Sequence, residues 1–529
     1  MKRDKETQTS LFFSIFRNNY IKSKIRNNRF RDSVLQFTLS YLNSNNNHVY
    51  ISKLTNNDKL EYNISIKIVI RHKTQFRQYL ASPQREIIDH IVLDSCVDAT
   101  GPSSPMNGGI DQDGQECSFY YLDLFHNGLK RLEIHFDNEK VTRWCGRLPD
   151  TLLELIIHYD IYSNFESDFL DHLVSHLPPN LTRLTLPSKY CMSVECRVPE
   201  SLTDLNYISE ASSLKHLVLP SNRVYKGLTY TINNSDDYEW LTANPWVSSV
   251  YLYYTEFDPK FIPDHILSII IGSPRQHLEL VLEKSILPSN LKHLCWNTES
   301  GKMNANSLPQ SLENFDLYGY DHPLECGVFH NALQILSINS SCPSILRIGV
   351  LPPNLTELFM YSYNQPLQAK VLPRGLKKLI LSGFNNKLEP NSLPSSLSTL
   401  ELNQFSGSFE SVGPLNNLTK LAIKTIDQSV SNLLKNVYFI ELVFSSIKPY
   451  ATLKHNTSIQ EIQCKGQLWS KVDLPVNFLP LSTKKLFTQN INITEKGSIP
   501  DGCICLNIDF HIDKSLLPLS VTNVIYCRE

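Results

Sequence analysis

The sequence predicts a repeat solenoid of the α/β type, with a parallel sheet along its concave face, little helix elsewhere and a small helical cap at its N-terminus. Two observations carry this. An apolar signature, L-P-x-x-L-x-x-L-x-L, returns along the chain, most clearly as LPPNLTELFM from Leu351, LPRGLKKLIL from Leu372 and LPSSLSTLEL from Leu393. The full unit is about 21 residues long, and the segments opening at Tyr361, Ser382 and Asn403 keep that spacing strictly. Self-similarity at such a period marks stacked arrays, and it overrides the division into three or four domains that 529 residues would otherwise suggest.

Taken in order, residues 11–42 read as two amphipathic helices, with Phe12, Phe16 and Tyr20 on one face and Ile21 and Ile25 together. Residues 1–45 are therefore expected to cap the open end of the array, as such stacks require, and 46–84 to form a strand-containing entry region. The array is expected over 85–529. It opens with Ile88-xx-Ile91-x-Leu93 and Leu129-xx-Leu132-x-Ile134, and weaker signatures follow at Leu148, Leu177, Val198, Ile262, Leu287 and Leu308. Beyond Leu418 the beat decays but persists to LPLSVTNVIY at Leu517. Two stretches fall out of period and read as insertions, 100–117 and 220–246.

Each part of the unit has a physical role. The closing L-x-L alternates as a half-buried strand must. The preceding proline fixes φ and donates no ladder hydrogen bond, so it belongs at the strand's entry. A second apolar column runs through Tyr320, Tyr363, Phe384 and Phe405, and a third through Leu324, Leu367, Leu388 and Phe409. Asp321, Asn364 and Asn385, just after the aromatics, suit turns in which a short polar side chain bonds nearby backbone. One unit cannot stand alone. Its three to five buried side chains are worth roughly 1.5–3 kcal/mol each, whereas ordering some 21 residues costs on the order of 30 kcal/mol. Stacking on both sides closes the gap.

The unit F/Y-N-x-P-L…L-P-x-x-L-x-x-L-x-L resembles the FNIP repeat, a relative of the leucine-rich repeat. Tyr363-Asn364-Gln365-Pro366-Leu367 and Phe384-Asn385-Asn386-Lys387-Leu388 carry the match, which is specific over 306–425 and looser elsewhere. The resemblance implies a curved right-handed solenoid and a role in protein–protein contact. An aromatic occupies the position where common leucine-rich repeats hold asparagine, so an asparagine ladder is not expected. The opening LFFSIFRNNYIKSKI also resembles the N-terminus of many FNIP-repeat proteins. An F-box-like module, which would recruit a ubiquitin-ligase core through 11–42, is the alternative the resemblance implies, although the leucine-proline and acidic pattern of an F-box is missing.

Other function classes find little support. The net charge of -2 argues against chain-wide contact with nucleic acid or membrane, and the nine basic residues against two acidic ones in 1–31 read as a solvated helix face with a basic tail. No apolar run approaches the ~20 residues of a membrane span, and no secretory leader is recognisable. A cytoplasmic or nuclear protein is expected, not a secreted one, with its twelve cysteines reduced. Sequons such as Asn180-Leu-Thr, Asn354-Leu-Thr and Asn417-Leu-Thr follow from the repeat template. Phosphate-loop, dinucleotide, zinc-protease and nucleophile-elbow motifs are absent, so neither enzymatic activity nor a cofactor is expected. Asp111-x-Asp113-Gly114 resembles a fragment of a calcium loop without the downstream ligands. His172 and His176 share a helical face but have no third ligand in view. Cys503 and Cys505 read as a thiol pair on one face of a strand.

Function therefore falls to the sheet surface. In a leucine-rich coil written L1-x-x-L4-x-L6, positions 3, 5 and 7 face the concave side. They place Tyr318, Phe359, Tyr361 and Ile380 in an exposed apolar-aromatic patch, rimmed by Glu357, Lys378, Glu401 and Lys420. An aromatic centre with a charged rim has the anatomy of a protein-binding hot spot, so other proteins are the expected partners.

Overall fold

The structure, a computed structural model, describes residues 19–43, 54–94, 109–110, 116–136, 142–159, 168–188, 190–220, 223–252, 259–271, 286–297, 303–320, 322–340, 345–467 and 471–526. The chain divides into two compact units, Met1–Val250 and Tyr251–Glu529. Phe12 and Phe16 of the expected cap, the calcium-like fragment Asp111-x-Asp113-Gly114, and Asp321 lie outside the described residues.

In the N-terminal unit eight strands pair in succession, every pair parallel: β1 (Val34–Phe37), β2 (Ser65–Ile70), β3 (His90–Leu93), β4 (Arg131–Phe136), β5 (Glu154–Tyr159), β6 (Arg183–Thr185), β7 (Asp204–Ser209) and β8 (Tyr225–Ile232). Helices α1 (Asn19–Arg29), α2 (Leu39–Asn43), α3 (Asn56–Tyr62) and α4 (Lys73–Leu80) lie in the first coils, and short helices recur at Asp168–Val174, Ala211–Leu214 and Asp236–Ala243. The second unit repeats the plan with thirteen strands: β9 (Ser268–Ile271), β10 (His293–Asn297), β11 (Asn314–Tyr318), β12 (Ile335–Asn339), β13 (Glu357–Met360), β14 (Lys378–Ile380), β15 (Thr399–Leu402), β16 (Lys420–Ile423), β17 (Phe439–Phe444), β18 (Glu461–Gly466), β19 (Lys485–Gln489), β20 (Cys505–Ile508) and β21 (Asn523–Tyr526). Each unit is thus a stack of parallel coils with little helix.

Three boundaries depart from the sequence reading. Among the described residues the ladder starts at Val34, not near residue 85, because Val34–Phe37 pairs with β2 from Ser65 to Ile68. Two helices over 11–42 are therefore replaced, in the described part, by one helix, a strand and a short turn of helix. The stretch 220–246 is no plain insertion, since Leu228, Thr229 and Tyr230 pair in register with β7. At the end of 100–117, Gly109 and Ile110 pair antiparallel with Cys117 and Glu116, so the described part of this insertion is ordered as strand.

The coil chemistry is regular. In LPxxL the proline carbonyl accepts a hydrogen bond from the leucine three residues on, at 3.2 Å for Leu355 and Leu376 and 3.3 Å for Leu397. The signature is thus a β-turn that delivers the chain into its strand. Two residues before several of the LP leucines the backbone is left-handed, at Asn306, Gly349, Lys370, Asn391 and Asn477. Asparagine and glycine tolerate that region and lysine does not. Inside, Leu336, Leu358, Leu379, Leu400 and Leu421 form one fully buried column, and Tyr363, Phe384 and Phe405 another. The Phe384 and Phe405 rings stack at 5.9 Å.

Polar side chains tie neighbouring coils together at the same places. Ser311 Oγ donates to Ser289 O and Leu291 O, and Ser396 Oγ to Arg374 O and Leu376 O. Where asparagine replaces that serine, its amide bonds the preceding coil, as Asn180 does to Asp150 O, Asn354 to Asn331 O and Asn417 to Ser395 O. The threonines two residues later, Thr182, Thr356 and Thr419, donate to carbonyls of the coil before. The recurring N-L-T is therefore an inter-coil staple. An asparagine ladder does form, contrary to the sequence expectation. It runs one residue beyond the aromatic, with Asn385 N donating to Asn364 Oδ1 at 2.9 Å and Ser406 N to Asn385 Oδ1 at 3.0 Å.

Candidate protein-binding face

Alternation along each strand sends one set of side chains into the coil and the other onto the outer face of the sheet. In β13 Leu358 and Met360 are buried while Glu357 and Phe359 stay half-exposed. Because the pairings of these strands are parallel and in register, outward residues align across strands in straight rows. One row reads Asn314, Ile335, Glu357, Lys378, Thr399, Lys420 and Glu441. The next reads Cys295, Asp316, Ser337, Phe359, Ile380, Glu401, Ala422 and Val443.

Opposite charges fall on neighbouring strands of this face. Lys378 Nζ lies 3.7 Å from Glu357 and 4.8 Å from the centre of the Phe359 ring. Lys420 bonds Glu401 at 2.8 Å, Lys465 bonds Glu441 at 3.2 Å and Lys485 bonds Glu461 at 2.7 Å. Such half-exposed pairs add at most about 1 kcal/mol each. Their larger effect is to hold long side chains flat beside the aromatics. The bond to Glu401 raises the Lys420 ammonium above the ordinary lysine range. At the other end of the patch, burial raises Asp316 above the usual carboxylate range. It also pushes Cys295 up to about 11, with Asp316 adding to the effect.

The structure brings Glu357, Phe359, Lys378 and Ile380 into one contiguous group, with Glu401 and Lys420 on the next two strands. Tyr361 is 40% exposed. The Tyr318 hydroxyl is raised by burial, then by Cys295, Asp316 and Tyr361 around it, which places the two tyrosines in one neighbourhood. Ile380 departs from expectation: it is only 9% exposed. On this tightly spaced sheet its side chain lies between those of Phe359 and Glu401, so it supports the patch from beneath. Sequence reasoning also missed Gln467, whose amide donates to Asn403 O at 3.2 Å and Ile423 O at 3.4 Å. A contact spanning 64 residues leaves no local signal.

The other sequence candidates are engaged in the fold. His172 Nε2 bonds Gly146 O at 3.0 Å, and His176 turns its Nδ1 to Ser175 and to His172 O. Cys503 is buried, Cys505 is half-buried, and both are free thiols. Cys191 and Cys326 are exposed at the surface. No helix among the described residues is long and apolar enough to cross a membrane.

Comparison with known proteins bears on the same coils. The FNIP Repeat family model matches residues 320–362 and 363–405, two consecutive blocks that include β12 to β15. This chain carries FNIP repeats. Curated protein sequences yield no match. Among solved structures, CroV588, described as a novel circular LRR protein, is 19% identical with a TM-score of 0.43 over 87% of this chain and 69% of that one. TLR13 in a TLR13–ssRNA13 complex is 12% identical with a TM-score of 0.45, covering 90% and 80%. The matched FNIP blocks hold Tyr361, Phe359 and Lys378, so the repeat family and the candidate face coincide in sequence.

Proposed function

We propose that this FNIP-repeat chain is a non-enzymatic adaptor that captures another protein on the outer face of its sheet, centred on Phe359 and Tyr361. The observation that carries the reading is the ordered rim. Glu357–Lys378 and Glu401–Lys420 are paired across strands beside half-exposed aromatics, so the face is already organised before a partner arrives. Preorganised aromatics surrounded by charge provide affinity at the centre and orientation at the edge. The test is the double substitution Phe359→Ser/Tyr361→Ser. Neither side chain belongs to the buried column, so the melting temperature should stay within a few degrees while partner capture is lost. Retained capture by the folded variant would falsify the assignment.

The ubiquitin-ligase alternative places recruitment on 11–42. It is less favoured, because β1 commits its backbone hydrogen bonds to β2 and helix α1 packs on α3 through Asn27–Asp58 and Lys24–Glu61. Removing residues 1–18 leaves those contacts untouched. If ligase-core subunits co-purify with the full chain and vanish with that truncation, the recruitment reading replaces the plain adaptor.

A further inference from the structure

In the N-terminal unit, on the outward side of β4 and β5, three metal-binding side chains converge. Glu133 and His135 alternate with buried Leu132 and Ile134, so both point outward. His158 lies directly across from His135 in the parallel register. Glu133 Oε1 is 3.1 Å from His135 Nε2 and 3.5 Å from His158 Nε2. The two imidazole rings stand 4.6 Å apart, and one donor atom from each of the three residues lies within 4.8 Å of the others.

These separations suit a metal ion. Zinc bonds to imidazole nitrogen and carboxylate oxygen are about 2.0–2.1 Å, and a tetrahedron of such bonds has edges of roughly 3.3–3.4 Å. The distances of 3.1 and 3.5 Å bracket that edge. A second observation points the same way. His90, 6% exposed, aims its Nε2 at the other oxygen of Glu133 from 3.5 Å, and that nitrogen has no hydrogen-bond partner. A small shift of the carboxylate toward a metal-binding pose would let His90 donate to Oε2. Buried donors of this kind orient ligating carboxylates in metal sites. Arg131, 3.6 Å from Glu133, is also bonded to Glu154 at 3.2 Å, so the carboxylate is not its sole partner.

We propose that Glu133, His135 and His158 form a binding site for a divalent transition-metal ion, zinc foremost, with His90 positioning the carboxylate and water filling the fourth place. Two imidazoles and one carboxylate select borderline divalent metals over calcium or magnesium, which take oxygen ligands. His158 is 49% exposed, so the fourth position opens to solvent. The sequence hides the site, because its ligands come from adjacent coils and only Glu133-x-His135 is local.

The full-length protein, stripped with chelator, is titrated with zinc against a chromophoric competitor and with cobalt(II) by visible absorption. One tight equivalent is expected, with the intense cobalt bands of a four-coordinate site. His135→Gln/His158→Gln should weaken zinc at least 100-fold and abolish those bands. His90→Gln should weaken it about 10- to 100-fold with stoichiometry unchanged. His172→Gln/His176→Gln should have no effect. Because His135 and His158 sit on the surface, the metal-free double variant should melt as the parent does. If it does not, His158→Gln alone is read, with a loss of at least tenfold expected. The proposal is overturned if the parent binds no tight equivalent, or if the histidine variant read binds zinc as tightly as the parent, as it would were exposed thiols the ligands.

Discussion

Lys59 and Asp89 meet in the core of the N-terminal unit at 2.8 Å, with side chains 2% and 4% exposed. The lysine also donates to Ile87 O, and Asp89 accepts from Ile66 N, so the pair links α3 to β2 and β3. Removing one member of a buried pair strands the other charge, at a cost of about 3–5 kcal/mol. Lys59→Met should therefore lower the unfolding free energy read from urea denaturation by that amount, and a variant within about 1 kcal/mol of the parent would mean that Lys130, 3.9 Å from Asp89, or water compensates the carboxylate. Asp316 offers a test of opposite sign. Burial raises its pKa, so between the ordinary aspartate value and the raised one the folded state binds more protons than the unfolded state, and stability falls as pH rises through that window. Asp316→Asn should raise the melting temperature at pH 7, with a gain that shrinks as the solution is acidified toward pH 4. At this scale the sequence was least informative. Neither Lys59–Asp89, 30 residues apart, nor the Glu133–His158 contact has a local pattern, since both are set by which coils stack.

At the scale of the coil, legibility was high where the period is strict. The columns through Leu379, Phe384 and Leu388 follow from residues that recur at one spacing, and each is buried as the pattern requires. The sequence misled where the polar template was shifted by one place. An aromatic at the usual asparagine position hid the ladder carried by Asn364 and Asn385. Asn385→Ala removes one rung and should cost about 1 kcal/mol. Leu379→Ala opens a cavity in the central column and should cost about 2–5 kcal/mol. Both are read from chemical denaturation. Lys370 occupies the left-handed position that asparagine or glycine takes in most coils, at φ 63°. Since a non-glycine residue there costs roughly 1–2 kcal/mol, less for asparagine, Lys370→Asn should stabilise the chain. An unchanged or lower midpoint would show that the lysine is not strained.

For the molecule as a whole, the repeat dictates both the core and the working surface. A parallel ladder of short strands buries every second side chain and lines up the rest in rows, so the proposed binding face is built from residues spaced one coil apart. The early start of the ladder was obscured because helices α3 and α4 interrupt the 21-residue beat, and the 94–131 excursion separates β3 from β4. The outer face of β11 to β16 was legible in composition, whereas the burial of Ile380 and the reach of Gln467 depend on coil geometry. A truncation meant to probe the N-terminal segment should stop before α1, because removal of residues 1–45 would take β1 and leave β2 with an open edge.

The central claim is that a partner docks on the FNIP coils around Phe359. Its most direct measurement is quantitative affinity capture with the full-length parent beside Phe359→Ser/Tyr361→Ser, both first shown to melt alike. Proteins enriched by the parent should fall to background with the variant. Undiminished recovery of the same proteins would contradict it and move the binding site off this face.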